Sequence, residues 1–232
     1  MHANQPDERS PTSAQSFYGR WARLYDVIAT GTPGIRSLRR RVAEACDLRS
    51  GDTVVEFGCG TGANLPYLRE VVGESGTVVG IDVTREVLDR AYHRIERAEN
   101  VHLIRADATN PPISVDSDVD AIVSTFVVGM FDDPAAVVDE WCDLVGPGGR
   151  IVLANAARTH GPAAALVNSA FGAVVRLSTP PTRKLRYEDD ITGRLDRRIS
   201  TAHGRLRARA TATYEHRSHL GLIRLTGGVV DG

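Results

Sequence analysis

The chain has 232 residues, of which 42% are apolar and 25% charged, and a formal net charge of -1. That is material for one large domain with an ample core, and it gives no chain-wide electrostatic case for nucleic acid. Cys46, Cys59 and Cys142 are widely spaced with no CxxC pair, which argues against a disulfide framework or a structural metal site.

Residues 1–13 are polar, carry Asp7 and Glu8, and read as a disordered tail without the apolar centre of a signal peptide. The segment Phe17 to Asp26 is aromatic and predicts a helix, punctuated by Gly31-Thr32-Pro33-Gly34. A second helix is expected from Ile35 to Cys46, with Ile35, Leu38, Val42 and Ala45 on one face. Strand and helix patterns then alternate: strand 53–57, helix 63–72, strand 77–81, helix 84–97, strand 101–105, strand 119–124, helix 133–145 and strand 149–154. Such alternation predicts an α/β, doubly wound, mostly parallel sheet. Beyond Ala156 the pattern predicts an apolar helix from Pro162 to Leu177 and an amphipathic one from Asp189 to Ala202. Two terminal strands, about 205–215 and 219–225, read as a hairpin at one sheet edge. The apolar stretch from Pro162 to Val175 is too short to cross a bilayer and is interrupted by Asn168 and Ser169. The expected location is cytoplasmic.

The chemistry concentrates where the first strand ends. Val54-Val55-Glu56-Phe57 leads into Gly58-Cys59-Gly60-Thr61-Gly62, a backbone free to turn sharply and to let a ligand approach without Cβ atoms in the way. A strand, glycine loop and helix in this order hold nucleotide-like cofactors in open α/β sheets. Asp82 closes the second strand about twenty residues on, where a carboxylate accepts from both ribose hydroxyls. Asp107 closes the third, placed for an adenine amino group. Gly58-x-Gly60-x-x-Ala63 also fits a relaxed dinucleotide fingerprint, so a nicotinamide cofactor is the competitor. Glu56 counts against it: negative charge ahead of the loop opposes a pyrophosphate but suits an amino group or a sulfonium. With Asp107 it points to S-adenosylmethionine.

Five motifs in order, over residues 15–156, resemble those of class I S-adenosylmethionine-dependent methyltransferases. They are Glu56-x-Gly58-x-Gly60-x-Gly62, Gly80-Ile81-Asp82, Ala106-Asp107-Ala108, Val119 to Phe126, and Leu144 to Leu153 with its Gly146-Pro147-Gly148-Gly149 turn. The resemblance implies a Rossmann-like sheet of seven strands with an antiparallel C-terminal strand. It implies cofactor contacts at Glu56, Gly58, Cys59, Gly60, Gly62, Asn64, Asp82, Val83, Asp107, Ala108 and Ser124. Tyr18 to Asp26 is similar to the N-terminal segment of the branch acting on menaquinone and ubiquinone precursors and some phospholipids. Leu225 to Val230 resembles the terminal strand of the quinone enzymes. Residues 158–204 match neither. The implied organisation is a single domain, 14–232, with a helical lid at 14–48, the cofactor core at 49–156 and an acceptor side at 157–232.

Methyl transfer from a sulfonium is an in-line displacement in which the protein mainly aligns the partners and excludes water. No acid–base pair is therefore demanded. Tyr18, Tyr25 and His160 are candidate catalytic groups, with His203, His216 and His219 behind them, and Phe126, Met130 and Phe131 are candidates for an apolar acceptor wall. Ser124-Thr125-Phe126-Val127 stands where nucleic-acid amino-methyltransferases carry Asn/Asp-Pro-Pro-Tyr, so a small-molecule or lipid acceptor is expected and nucleic acid is not. Residues 176–232 hold twelve basic against six acidic side chains, a net of +6 that leaves -7 for residues 1–175. That asymmetry reads either as solvated faces or as a surface for peripheral membrane contact. No metal is expected. An NAD(P)-dependent oxidoreductase and a non-catalytic S-adenosylmethionine-binding protein are the alternatives.

Overall fold

Short runs rich in β-branched residues build the sheet, and the first of them, Thr53–Phe57, ends at Gly58. The computed structural model describes residues 34–95, 98–114, 117–160, 164–178 and 191–231. The tail at 1–13, the aromatic segment at 17–26, Tyr18 and Tyr25 lie outside the described residues. Helix α1 (Ile35–Ala45) leads to β1 (Thr53–Phe57), α2 (Leu65–Val72), β2 (Thr77–Asp82), α3 (Arg85–Arg94), β3 (Val101–Arg105) and β4 (Ala121–Thr125). A short 3-10 turn at Val128–Met130 precedes α4 (Pro134–Val145), β5 (Arg150–Ala156), α5 (Ala164–Ser178), α6 (Ile191–Arg209), β6 (Ala210–Ser218) and β7 (Ile223–Val230).

The seven strands run in the order β3-β2-β1-β4-β5-β7-β6. The first five pair in parallel, and β7 pairs antiparallel with both β5 and β6. Chain order reverses between β1 and β4, and a crevice opens beyond the carboxyl ends of the strands at such a point. Alternation along β1 divides the core. Val54 joins a layer with Leu38 and Val42 of α1, Leu68 of α2 and Leu88 of α3. Val55 and Phe57 join Trp141 of α4 and Ile199, Ala202 and Leu206 of α6 on the other face. The sheet is thus covered on both sides, as a parallel sheet requires.

Two expected boundaries move. Residues 205–209, read as the start of a strand from alternating Leu206 and Ala208, are the last turn of α6. Leu206 continues the helical series Ile199, Ala202, and all three are buried against the sheet, so the 3.6-residue period outweighs a local alternation. The last strand is 223–230 rather than 219–225. His219, Leu220 and Gly221 have φ of 52°, 57° and 84°, and three successive left-handed residues turn the chain instead of extending it. Gly228, a poor strand former by itself, is tolerated because β7 is crossed closely there. A Cβ on Gly228 would sit 2.7 Å from that of Ala210.

Part of the basic C-terminal charge is paired at the surface with acids from earlier in the chain. Arg205 and Arg209 both reach Asp139 of α4, at 2.7 and 2.9 Å, Arg209 also binds Asp143 at 2.6 Å, and Arg198 binds Asp132. The acids of residues 1–175 are thus in part the partners of α6. Among the described residues no helix is long and apolar enough to cross a membrane.

Candidate active site

The loop after β1 turns on three left-handed glycines, Gly58, Gly60 and Gly62, with φ of 68°, 55° and 73°. Each has a different reason to lack a side chain. A Cβ on Gly58 would lie 2.3 Å from Val127 Cγ2, and one on Gly62 3.0 Å from Ala91 Cβ, whereas one on Gly60 would meet nothing within 4 Å. The loop is anchored to β2: Gly58 N–H and Cys59 N–H both donate to the Ile81 carbonyl, at 2.7 and 3.0 Å. Asp82 completes the clamp, its Oδ2 accepting from Gly60 N–H at 3.0 Å and its Oδ1 from Thr84 N–H at 2.8 Å. Burial pushes the Asp82 carboxyl up, and these backbone donors hold it back.

Glu56 is the most buried acid of the site, 1% exposed. Its Oε1 accepts from Asn64 Nδ2 at 2.5 Å and from Thr125 Oγ1 at 3.3 Å. Its Oε2 is buried with no partner among the described residues. Burial raises its pKa to about 7, opposed by the Asn64 hydrogen bond and the charge of Arg39. Asn64 also donates to Thr125 Oγ1 at 3.0 Å and accepts from Arg39 Nη1 at 2.7 Å. Its buried amide is therefore occupied by protein partners. Beyond the end of β3, Asp107 is exposed and its Oδ1 accepts from Thr109 N–H and Oγ1, both at 2.9 Å. The Ala108 carbonyl accepts from Trp141 Nε1 at 2.9 Å. The exposed Val83 gives its carbonyl to Arg105 Nε at 3.1 Å. Ser124 lies in register with Phe57, on the opposite sheet face from Glu56, its buried Oγ without a partner among the described residues.

The other candidates separate. His160 is exposed beyond β5. His203 is buried, with ring nitrogens on Thr226 Oγ1 at 2.7 Å and Asn155 Oδ1 at 3.1 Å, and burial lowers its pKa to about 3. His216 and His219 line a surface pocket of about 280 Å³ with Gly34 and Arg41, between α1 and the β6–β7 turn. Phe131 meets Trp141 edge-on at 5.8 Å and belongs to the core, Phe126 packs partly against the α1 face, and Met130 is exposed.

A family profile described as a methyltransferase domain matches residues 54–149. The phosphatidylethanolamine N-methyltransferase of Cereibacter sphaeroides is 36% identical over 152 residues, 64% of this chain and 71% of that one. The chain belongs to the class I S-adenosylmethionine-dependent methyltransferases. It is also 28% identical to the demethylmenaquinone methyltransferase of Staphylococcus saprophyticus over 138 residues, 60% of this chain and 58% of that one. In fold it is similar to the Bradyrhizobium japonicum N-methyltransferase NodS, solved with S-adenosyl-L-homocysteine. There the TM-score is 0.64 at 15% identity, with 96% of this chain and all of that one covered, 100%. Several curated relatives are longer: the chain spans from 36% to 58% of the length of three of them.

The residues of this methyltransferase chain fit its family's cofactor. The orphaned Glu56 Oε2 is an acceptor in need of a donor, and the open space above Gly60 is where a ligand can lie against backbone. S-adenosylmethionine is accordingly the cofactor this site is built for. Four residues that touch these groups have no such role in the sequence patterns: Arg39, Thr125, Val127 and Trp141. Arg39 left a signal, since it interrupts the apolar stripe of α1 between Leu38 and Val42 yet is buried with them. Val127 left none. It reaches Gly58 because Phe126 takes φ of 63°, an outlier for a bulky residue, with its N–H held by the Ala154 carbonyl at 2.8 Å.

Proposed function

We propose that the chain transfers a methyl group from S-adenosylmethionine to a small, apolar acceptor, of the quinone-precursor or lipid type, by in-line displacement. One observation carries the donor side: a carboxylate buried at the end of β1 keeps one oxygen unused beside an open glycine turn. In this reading Glu56 receives the cofactor's ammonium group, and the backbone of Gly58 to Gly62, with Cys59, lies along its amino-acid arm. Asp82 accepts from the ribose hydroxyls with the lone pairs left over after Gly60 and Thr84, while Val83, Asp107 and Ala108 flank the adenine. Asn64 contributes through Glu56, and Ser124 borders the crevice at the end of β4.

The bound cofactor supplies a methyl group on a sulfonium, already a good leaving group. What remains for the chain is to orient the acceptor within reach of that carbon and to keep water out. His203 is a poor base, since both its nitrogens are engaged and it stays neutral. His160, Tyr18 and Tyr25 remain the candidates for deprotonating an acceptor that needs it. An apolar acceptor is supported by exposed apolar side chains on segments that follow the strand ends: Met130 after β4, Leu166 of α5 at 78% exposure and Leu220 of the β6–β7 turn at 74%. Residues 14–48 are assigned to the lid, 49–156 to the cofactor core and 157–232 to the acceptor side. Titration with S-adenosylhomocysteine, NAD and NADP tests the donor, and binding of a dinucleotide alone would overturn it. Labelled S-adenosylmethionine with a fractionated extract tests the acceptor. Label in the lipid fraction is expected, which would bring the chain to a membrane surface, and label confined to polar solutes would refute the apolar acceptor.

A further inference from the structure

The Glu56 carboxylate is aimed by a side chain two steps away. An asparagine amide has nearly the same shape either way round, and its partners decide which end faces where. Here the Asn64 Oδ1 end faces Arg39, a donor that cannot accept, at 2.7 Å, which leaves Nδ2 to donate to Glu56 Oε1 and Thr125. With the amide reversed, its oxygen would confront the carboxylate and the anchoring bond at Oε1 would be lost. Arg39 comes from α1, outside the strand-and-loop unit that holds the cofactor, and is itself buried.

The charges around Glu56 give Arg39 a second effect. Asp82, across the glycine loop, raises the Glu56 pKa, and Arg39 lowers it. The thiols of Cys46 at the end of α1 and Cys59 in the loop are held neutral, mainly by burial and then by Glu56 itself. Burial alone pushes Glu56 toward its neutral form, which has no charge to offer an ammonium.

We infer that Arg39 is a positioning residue for the ammonium end of the cofactor: it locks the Asn64 amide so that Glu56 is anchored through Oε1 and keeps Oε2 for the cofactor. Docking of α1 and affinity for the amino-acid arm are thereby coupled. This rests on the methyltransferase reading, and the test separates the two. S-adenosylhomocysteine carries the ammonium; 5′-methylthioadenosine has the same adenosine and thioether without it. Affinities for both are measured by titration calorimetry from pH 5.5 to 8.5 for the native chain, Arg39→Met, Arg39→Gln and Arg39→Lys. For Arg39→Met, S-adenosylhomocysteine binding is expected to weaken about 10- to 100-fold at pH 7, with the midpoint of its pH profile about 1 unit higher. 5′-Methylthioadenosine should bind as before. Arg39→Lys keeps the charge and should lose less than about 5-fold. Arg39→Gln keeps a donor without charge and should show the pH shift; these two variants carry the test if Arg39→Met does not fold. An unchanged S-adenosylhomocysteine profile in folded Arg39 variants, or equal losses for both ligands, overturns the inference. A native chain that binds neither ligand refutes the methyltransferase reading instead.

Discussion

Two glycines two residues apart should fail in opposite ways when each becomes alanine. At Gly60 the left-handed backbone costs a residue with a Cβ about 1–2 kcal/mol, and the new methyl meets nothing within 4 Å. For a domain of this size each kcal/mol lowers Tm by about 2–4 °C, so Gly60→Ala should melt roughly 2–8 °C below the native chain. The methyl does occupy the space assigned to the cofactor. Crowding a fitted contact by one methyl costs about 1–3 kcal/mol, or roughly 5- to 150-fold in affinity for S-adenosylhomocysteine. Gly58→Ala carries the same backbone cost plus a contact of 2.3 Å with Val127 Cγ2. Its stability loss is therefore about 2–5 kcal/mol. Val127→Ala removes the obstructing methyl, so the Gly58→Ala/Val127→Ala pair should be more stable than the sum of its parts predicts. Thermal melts followed by circular dichroism and titration with S-adenosylhomocysteine read the two effects separately. Native affinity in Gly60→Ala, or Gly58→Ala as stable as Gly60→Ala, refutes the reasoning.

Glu56, with a pKa of about 7 in the fold against an ordinary value near 4.5, binds more protons folded than unfolded between those values. Stability should therefore fall as pH rises from about 4.5 to 7, by up to about 1.4 kcal/mol per unit. Glu56→Gln should flatten that slope in urea titrations and weaken S-adenosylhomocysteine binding; an unaltered slope counts against the buried acid. His203 behaves oppositely, its pKa held at about 3 by burial. Stability linked to it is present above pH 6.5 and lost as pH falls toward 3, and His203→Gln should lessen that acid lability in the same titrations. Trp141→Phe removes the donor to the Ala108 carbonyl and should cost about 1–3 kcal/mol in chemical denaturation. Amide exchange at residues 106–110 should quicken with it, and unchanged exchange there would show the indole does not hold the loop.

The core of the fold was legible because β1, β2 and β4 are short β-branched runs separated by helices with unambiguous apolar spacing. The end of the chain was harder to read. Leu206 satisfies a strand alternation and a helical series at once, and only contact with Ile199 and Ala202 on the same helix face decides between them. Gly228 argues locally against a strand, and only the crowding by Ala210 explains it. In the site, Glu56, Asp82 and the three glycines announce themselves by spacing. The partners that shape them do not: Arg39 and Thr125 reach Asn64 and Glu56 from 25 and 69 residues away, which no local pattern encodes.

The position of β7 also bears on how the protein is made. It lies between β5 and β6, yet it is synthesised after both. While the ribosome adds the residues from Ala156 to Ile223, about 3–15 s at ordinary elongation rates, β5 is an unpaired edge presenting Ile151 to Ala154 to any neighbouring chain. A premature stop before Ile223 would make that transient edge permanent, leaving a nascent chain whose cofactor loop is complete but whose sheet invites association with its own copies.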